Sequence, residues 1–204
     1  MNYYVDYPIG NGAVEKLKLQ RLSEKYILKT SQLCDRCVGK NLYTTDYLAS
    51  ILHEKNHFFY LLLTDKDVLV GYMYFIMMDR AEFASLSKLD TLHLSHLCNG
   101  NDDKIGNLRS IGVAEPFRNK GLSKELIQFS LDELTSLGAD VAVALCWKAG
   151  AVVPMRHTML SCGLKYLTDA HRVWYDIKDL ECPYCIGRCK CDAEVYYKRL
   201  EVRS

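Results

Sequence analysis

A short basic loop in the second half of the chain has the residue types of a phosphate-binding site. Residues 109–124 read Arg-Ser-Ile-Gly-Val-Ala-Glu-Pro-Phe-Arg-Asn-Lys-Gly-Leu-Ser-Lys, which is a short apolar strand, a turn at Pro116, a basic loop and a helix start. Such a loop presents free backbone N–H groups and the positive end of a helix dipole to an anion. Gly121 lets the backbone approach a ligand closely, and Arg118 and Lys120 add positive charge. The loop therefore predicts a phosphorylated ligand.

The second segment with distinctive chemistry is a cysteine-rich loop, residues 181–192. Four of the nine cysteines of the chain fall in it, at Cys182, Cys185, Cys189 and Cys191. Its Cys-Pro-x-Cys start, followed by a glycine, is typical of a zinc knuckle, and four thiolates can complete a tetrahedral zinc site. We predict a structural Zn²⁺, because an all-thiolate site leaves no open position for a substrate.

The sequence also allows a second set of zinc ligands. Residues 34–40 repeat the pattern Cys-x-x-Cys-aliphatic-Gly-basic of residues 182–188. The pair Cys34 and Cys37 could therefore join Cys182 and Cys185 in a site resembling a zinc ribbon. In the absence of metal, all these residues would be free thiols.

Length and composition favour one globular domain over residues 1–204, with the cysteine-rich loop inserted between the last two strands. Hydrophobic residues make up 49% of the 204 residues and charged residues 25%, which is typical of a soluble protein. The net charge of +1 predicts no nucleic-acid partner. No apolar stretch approaches the ~20 residues of a membrane span, and the N-terminus does not resemble a signal peptide. We expect a cytoplasmic protein without a membrane partner, in which cysteines are thiols or metal ligands.

The elements that must position these two loops follow from hydrophobic periodicity and from turn residues. Helices are predicted at 13–33, 44–54, 122–137 and 154–162. Strands are predicted at 3–7, 57–63, 68–78, 91–97, 107–113, 141–147, 172–177 and 194–200. This order predicts an α/β protein with a mixed sheet, in which the basic loop joins a central strand to a helix.

The basic loop and the element order together resemble a known family. The pattern Val113-x-x-Pro116-x-Arg118-x-x-Gly121-x-Ser123 is similar to the acetyl-CoA loop of the Gcn5-related N-acetyltransferases, with Ser123 in place of the last small residue. The resemblance implies that family's fold, with splayed central strands, and acetyl-CoA as cosubstrate. It also implies direct transfer of the acetyl group to a primary amine. No motif names the amine acceptor, and a homodimer is compatible because dimers are common in the family.

The same resemblance implies where acetyl-CoA would bind. Backbone groups of Ile111, Gly112 and Val113 would bond the pantetheine arm, as an added strand would. The pyrophosphate would be held by the loop and the helix start, which comprise Arg118, Asn119, Lys120, Gly121, Leu122 and Ser123.

The catalytic residues of the family pattern are partly missing. Family members often carry a tyrosine acid four residues before a glycine, and here Met159 precedes Gly163 at that spacing. We predict Tyr166 as the replacement acid, with His157 and Cys162 as alternatives. The candidate bases are Glu82, Asp90, His93 and His96. The missing tyrosine also leaves two other functions open: a non-catalytic acyl-CoA-binding protein and a zinc-stabilised interaction module.

Overall fold

The chain folds around one open sheet of eight strands. The structure, a computed structural model, describes residues 3–10, 13–98, 100 and 102–201. The strands are β1 (Tyr3–Gly10), β2 (Ala13–Arg21), β3 (His57–Leu63), β4 (Leu69–Met78), β5 (Ile105–Val113), β6 (Val141–Lys148), β7 (Lys165–Ala170) and β8 (Asp192–Arg199). Their order in the sheet is β1-β2-β3-β4-β5-β6-β8-β7. The central pair β5 and β6 is parallel, and the other neighbouring pairs are antiparallel.

Helices cover both faces of the sheet. One face carries α1 (Ile27–Val38), α2 (Thr45–Ser50), α3 (Arg80–Ser87) and α4 (Thr91–Leu97), and the other carries α5 (Leu122–Ser136) and α6 (Arg156–Ser161). Strand β6 shows why both faces are covered, since it is apolar at successive positions. Val141 and Val143 pack in the core under α3 and α4, while Ala142 and Ala144 pack in the core under α5.

Most of the predicted elements are confirmed, and those nearest the basic loop agree to within two residues. The predicted strands 107–113 and 141–147 and the predicted helix 122–137 correspond to β5, β6 and α5. The predicted helix 44–54 begins after Thr44, whose hydroxyl oxygen accepts the N–H of Tyr47 at 3.2 Å, and ends in a 3₁₀ turn at His53. The α/β class with a mixed sheet is correct.

The predicted helix 13–33 is wrong in its first half, which is strand β2. Leu17 and Leu19 are buried and alternate with Lys18 and Gln20, so this segment follows a period of two rather than 3.6. β2 pairs with β1 on one side and with β3 on the other. β2 ends at Arg21, and helix α1 begins only at Ile27, after a 3₁₀ turn at Glu24–Tyr26.

Two further predicted strands are wrong, the first of them because capping signals outweigh a weak strand pattern. Residues 91–97 form helix α4, with Asp90 as N-cap accepting the N–H of His93 at 2.9 Å. Helix α3 was not predicted, although Asp79 and Glu82 form a capping box at its start. Residues 172–177 are turns instead of a strand, and β7 lies earlier, at Lys165–Ala170.

Within the described part of the chain, no helix has both the length and the apolar character needed to cross a bilayer.

Candidate functional site

The site is built where the two parallel central strands separate. β5 pairs with β6 only from Ile105 to Leu108, opposite Val141 to Ala144. Beyond this point β5 continues along β4, whereas β6 continues along β8. The edge of β5 that faces β6 is therefore open from residue 109 to Val113. A groove of about 800 Å³ occupies the gap and extends from the start of α5 to the cysteine-rich loop.

The basic loop lies at one end of this groove. A 3₁₀ turn at Glu115–Phe117 follows β5, and α5 begins immediately after Gly121. Gly121 has φ 82°, a left-handed conformation that glycine adopts readily, and no side chain caps the helix. The first N–H groups of a helix have no intrahelical acceptor, so those of Leu122 and Ser123 are available to a ligand in the groove. Asn119 also lines the groove.

The basic side chains of the loop point in different directions. The Arg118 Nε donates to the Val113 carbonyl at 2.9 Å, which holds the guanidinium against the end of β5 and within the groove. Lys120, by contrast, donates to the Tyr7 hydroxyl at 2.8 Å and lies over its ring, outside the groove lining. Lys124 in the first turn of α5 supplies a further cation to the groove. The loop therefore lies between β5 and α5 as expected, whereas the Lys120 side chain, predicted among the cofactor-binding residues, points away from the groove.

Gly112 allows helix α1 to pack against the strand. A Cβ atom at Gly112 would lie 2.3 Å from Cε1 of Tyr72 and 3.0 Å from Cβ of Cys37. Only glycine fits this approach without movement of the helix or the ring. Its neighbours Ile111 and Val113 pack toward the opposite face, against the core that includes α5. The three residues predicted to bind the pantetheine arm all line the groove.

The predicted acid Tyr166 does not lie in the groove. It is on the edge strand β7, 51% exposed, and its hydroxyl donates to Asp169 Oδ1 at 3.2 Å. Residue 166 lies on an edge strand that follows the last helix. Its side chain is therefore away from the gap between β5 and β6. Met159, at the position of the family tyrosine, does line the groove and is 4% exposed.

Among the other predicted proton carriers, only His157 lines the groove. Cys162 is buried beside Lys124, and burial raises the pKa of its thiol. The four predicted bases lie at α3 and α4, outside the groove. There Glu82 belongs to the capping box of α3, in which it accepts the N–H of Asp79, and Asp90 is the N-cap of α4. This region borders a second cavity of about 800 Å³, lined by residues such as Met77, Ala84 and Leu94.

The structure brings the four thiols of the cysteine-rich loop together. The sulfur atoms of Cys182, Cys185, Cys189 and Cys191 lie within 4.8 Å of one another. Sγ of Cys191 is 3.7 Å from Sγ of Cys182 and 3.5 Å from that of Cys185. Thiolates around a tetrahedral zinc with Zn–S bonds of about 2.3 Å lie about 3.8 Å apart, so the spacing fits one metal ion. Backbone N–H groups of Tyr184 and Lys190 also point at two of the sulfurs, as in a knuckle.

The alternative ligand pair does not join this cluster. Cys34 is fully buried between α1 and the sheet, and burial raises the pKa of its thiol. The Cys37 thiol lies 3.7 Å from the Val113 carbonyl, in the groove. The loops themselves do meet, because Lys40 and Glu181 exchange two backbone hydrogen bonds of 3.1 Å. In this structure the two loops are therefore neighbours, and Cys34 and Cys37 lie outside the group of four clustered sulfurs.

Two residues of the groove had no counterpart in the predicted site. Arg109 and Trp147 both line it, and each has a buried nitrogen without a hydrogen-bond partner in the described chain, Nε and Nε1 respectively. The sequence does carry one signal for Arg109, which is the one charged residue of the central strand β5. A charged residue in the middle of a sheet usually has a functional or structural reason, and here the residue is half-buried with its Nε fully buried.

A buried carboxylate fixes helix α6, which forms one wall of the groove. Glu194 on β8 is 6% exposed and accepts hydrogen bonds from the Arg156 guanidinium and the Tyr196 hydroxyl. The hydrogen bond from Arg156 holds the pKa of Glu194 below its ordinary value despite burial. A carboxyl group with a lower pKa in the folded state stabilises the fold at neutral pH. That contribution is lost as the pH falls below about 4.5.

We expect Arg156→Ala to lower the free energy of unfolding at pH 7, because Glu194 would be left buried without its partner. The variant should also lose less stability than the wild type between pH 7 and pH 3. Urea unfolding at both pH values measures this. The matched control is Lys40→Ala, which breaks an ion pair whose side chains are 64% and 63% exposed and which should change little. Equal losses in the two variants would contradict the assignment.

Comparison with known proteins agrees with this geometry. The sequence model of the Acetyltransferase (GNAT) family matches residues 26–154, and no curated protein matches the chain. The structure of Arabidopsis thaliana NAA60 in complex with acetyl-CoA is similar at a TM-score of 0.67 and 11% identity, over 90% of this chain and 98% of that chain. A mutant of the spermidine N-acetyltransferase SpeG from Vibrio cholerae gives a TM-score of 0.59 at 15% identity, over 90% and 93%.

At these identities the two solved structures bear on the fold alone, whereas the family match covers more than half of the sequence and includes β5, the basic loop and β6. The chain belongs to the Acetyltransferase (GNAT) family.

Proposed function

We propose that this protein is an acetyl-CoA-dependent N-acetyltransferase that transfers the acetyl group to a primary amine. The observation that carries the proposal is the open edge of β5 beside the uncapped N-terminus of α5, within one groove. Family membership supports it, as does the similar fold of a protein whose structure contains acetyl-CoA.

The residues of the groove fit the chemical groups of the cosubstrate. A volume of about 800 Å³ is within the range of small-molecule sites. The open backbone of residues 111–113 offers donors and acceptors to an amide-containing arm. The N–H groups at the start of α5 offer an anion site, and Arg118 and Lys124 line its surroundings. An added Cβ at Gly121 would meet nothing within 4 Å, so the loop leaves space for a phosphate there.

The chemistry is a direct acyl transfer. The bound thioester supplies an activated acetyl carbon, to which the amine nitrogen forms a bond as the C–S bond breaks. The amine loses one proton, and the departing thiolate gains one. His157 is the only one of the three acids offered by the sequence that lines the groove, so we assign proton return to it. Tyr166 could act as the acid only if β7 moved toward the groove.

We also propose that Cys182, Cys185, Cys189 and Cys191 bind one structural zinc ion. Their sulfur spacing supports this, as do the backbone N–H groups directed at two of them. The adjacent Pro183 and Tyr184 line the groove, so the metal would fix the wall opposite the basic loop. The ion has no catalytic step in this proposal, since four thiolates complete its coordination.

A second candidate function is acyl-CoA binding without catalysis. It is favoured by Met159, a side chain that cannot donate a proton at the position of the family tyrosine. The groove would be the same, and the difference lies in turnover.

The two functions are separated by incubating the untagged protein with labelled acetyl-CoA and a broad panel of amines. We expect acetylated amine and free CoA in equal amounts. Tight acetyl-CoA binding with hydrolysis as the only reaction would favour the second candidate. Absence of acetyl-CoA binding in a thermal-shift titration would overturn both.

A further inference from the structure

Two residues that line the groove each carry a buried hydrogen-bond donor without a partner in the described chain. Nε of Arg109 and Nε1 of Trp147 are both buried, and neither has a hydrogen-bond partner in the described chain. Both residues line the groove, one from β5 and the other from β6. Guanidinium and indole N–H groups can only donate, so each requires an acceptor oxygen. A buried donor that is left unsatisfied is costly, which makes two of them in one groove an indication of a ligand.

Arg109 lies at the apex of the gap between the strands. Leu108 is the last residue of β5 that pairs with β6, and Arg109 follows it directly. The pairing of β5 with β4 shifts register at this point, between Tyr74 and Phe75, so Arg109 is the extra residue of a bulge. A bulge redirects a side chain relative to a regular strand. Arg109 is therefore at the far end of the open edge from the basic loop.

The surroundings of Arg109 are neutral. Burial raises the pKa of Tyr43 and of Tyr74, and burial lowers the pKa of His57, so these neighbours carry no charge near pH 7. No salt bridge of the described residues includes Arg109. Arg118 differs, because the Val113 carbonyl already accepts its Nε hydrogen. The positive charge of Arg109 therefore has no negatively charged partner at the apex among the described residues.

The charge of the whole groove has the same sign. Its described lining includes Arg36, Arg109, Arg118 and Lys124 but no Asp or Glu, although the chain as a whole has a net charge of only +1. Arg118 and Lys124 are at the basic loop and have a role with phosphates. Arg109 is separated from that loop by the open edge of β5. A polyamine would bring further positive charge to the apex, whereas a carboxylate would neutralise it.

We propose that the amine acceptor carries a carboxylate close to its amino group, as an amino acid does, and that Arg109 binds this carboxylate. A guanidinium and a carboxylate form charge-assisted hydrogen bonds with two acceptor oxygens. Trp147 offers its unsatisfied indole N–H to another acceptor oxygen of a ligand in the groove. The inference depends on the proposed acetyl transfer and specifies its substrate class.

The test compares each amino acid with its own amide, and with spermidine, as acceptors for acetyl-CoA. We expect kcat/KM to be roughly tenfold or more higher for the amino acid than for its amide, the size of a hydrogen bond to a charged group. Arg109→Gln should bring this ratio to about one, and Arg109→Lys should restore part of it. The ratio cancels any general loss of activity or stability in a variant. The matched control is Lys66→Gln, which removes one positive charge from an exposed turn and should keep the wild-type ratio.

The outcomes distinguish this inference from the proposed function. Acetylation of amides or spermidine in preference to amino acids would overturn the inference and leave acetyl transfer standing. An equal loss for acid and amide in Arg109→Gln would also overturn it, because Arg109 would then act on the thioester or on the fold. Failure of every amine to be acetylated, with acetyl-CoA bound, would overturn both proposals.

Discussion

Gly121→Glu should weaken acetyl-CoA binding by roughly 100-fold or more while leaving the protein folded. The new carboxylate would lie at the start of α5, where the helix dipole attracts it and where it would compete with a phosphate. A side chain at position 121 can be accommodated, since an added Cβ would meet nothing within 4 Å. The cost to the fold is the left-handed conformation of residue 121, about 1 kcal/mol for a residue other than glycine. Calorimetric titration with acetyl-CoA measures the affinity, and urea unfolding measures the stability.

Gly138→Glu is the matched control for this variant. Gly138 also has a positive φ, 76°, and an added Cβ there would likewise meet nothing within 4 Å. It follows the opposite end of α5 and does not line the groove. The two variants share the added charge and the backbone strain, and only the first touches the anion site. Wild-type affinity in Gly121→Glu, or an equal loss in both variants, would contradict the loop assignment.

Cys191→Ser should remove the metal and lower the thermal midpoint by about 10 °C. The Cys191 sulfur lies 3.7 Å and 3.5 Å from two of the other three sulfurs, so its loss opens the tetrahedral site. Metal binding contributes to folding free energy, and for a chain of this size each kcal/mol shifts the midpoint by about 2–4 °C. Elemental measurement of the untagged wild type should give about one zinc per chain, and the variant should give much less than half.

Cys37→Ser serves as the control for the metal site. Cys37 belongs to the other Cys-x-x-Cys pair but lies at the groove, away from the four clustered sulfurs. It should therefore keep the full zinc content. A wild type with less than about half an equivalent of zinc would reject the site. Equal zinc loss in Cys37→Ser and Cys191→Ser would instead favour the ligand set shared between the two loops.

Most of the central fold could be predicted from the sequence, because the residue patterns that determine its strands and helix are local. The apolar run of β6, the amphipathic pattern of α5 and the glycine at its start each determine one element within a short window. The errors occurred where contacts between distant parts of the chain determine the secondary structure. β2 is a strand because β1 and β3 lie on either side of it, and residues 172–177 are turns because β7 already pairs with β8. Neither pairing can be read from composition.

The residues of the site also fall into two groups, those that local sequence predicted and those that depend on distant contacts. The basic loop and the four clustered cysteines are contiguous in the sequence, so their spacing alone predicted them. Arg109 and Trp147 are far apart in sequence, and their shared groove depends on where β5 and β6 separate. The direction of Lys120 depends on Tyr7, a contact across 113 positions. Side-chain direction and long-range contacts therefore had to come from the structure.

The most direct test of the central claim is hydrogen–deuterium exchange with and without saturating acetyl-CoA. We expect slower exchange across residues 109–124, which comprise the open edge of β5, the basic loop and the start of α5. Residues 77–84 border the second cavity and provide an internal reference that should not change. Binding that slows exchange at residues 77–84 and leaves 109–124 unaffected, or no binding at all, would contradict the account.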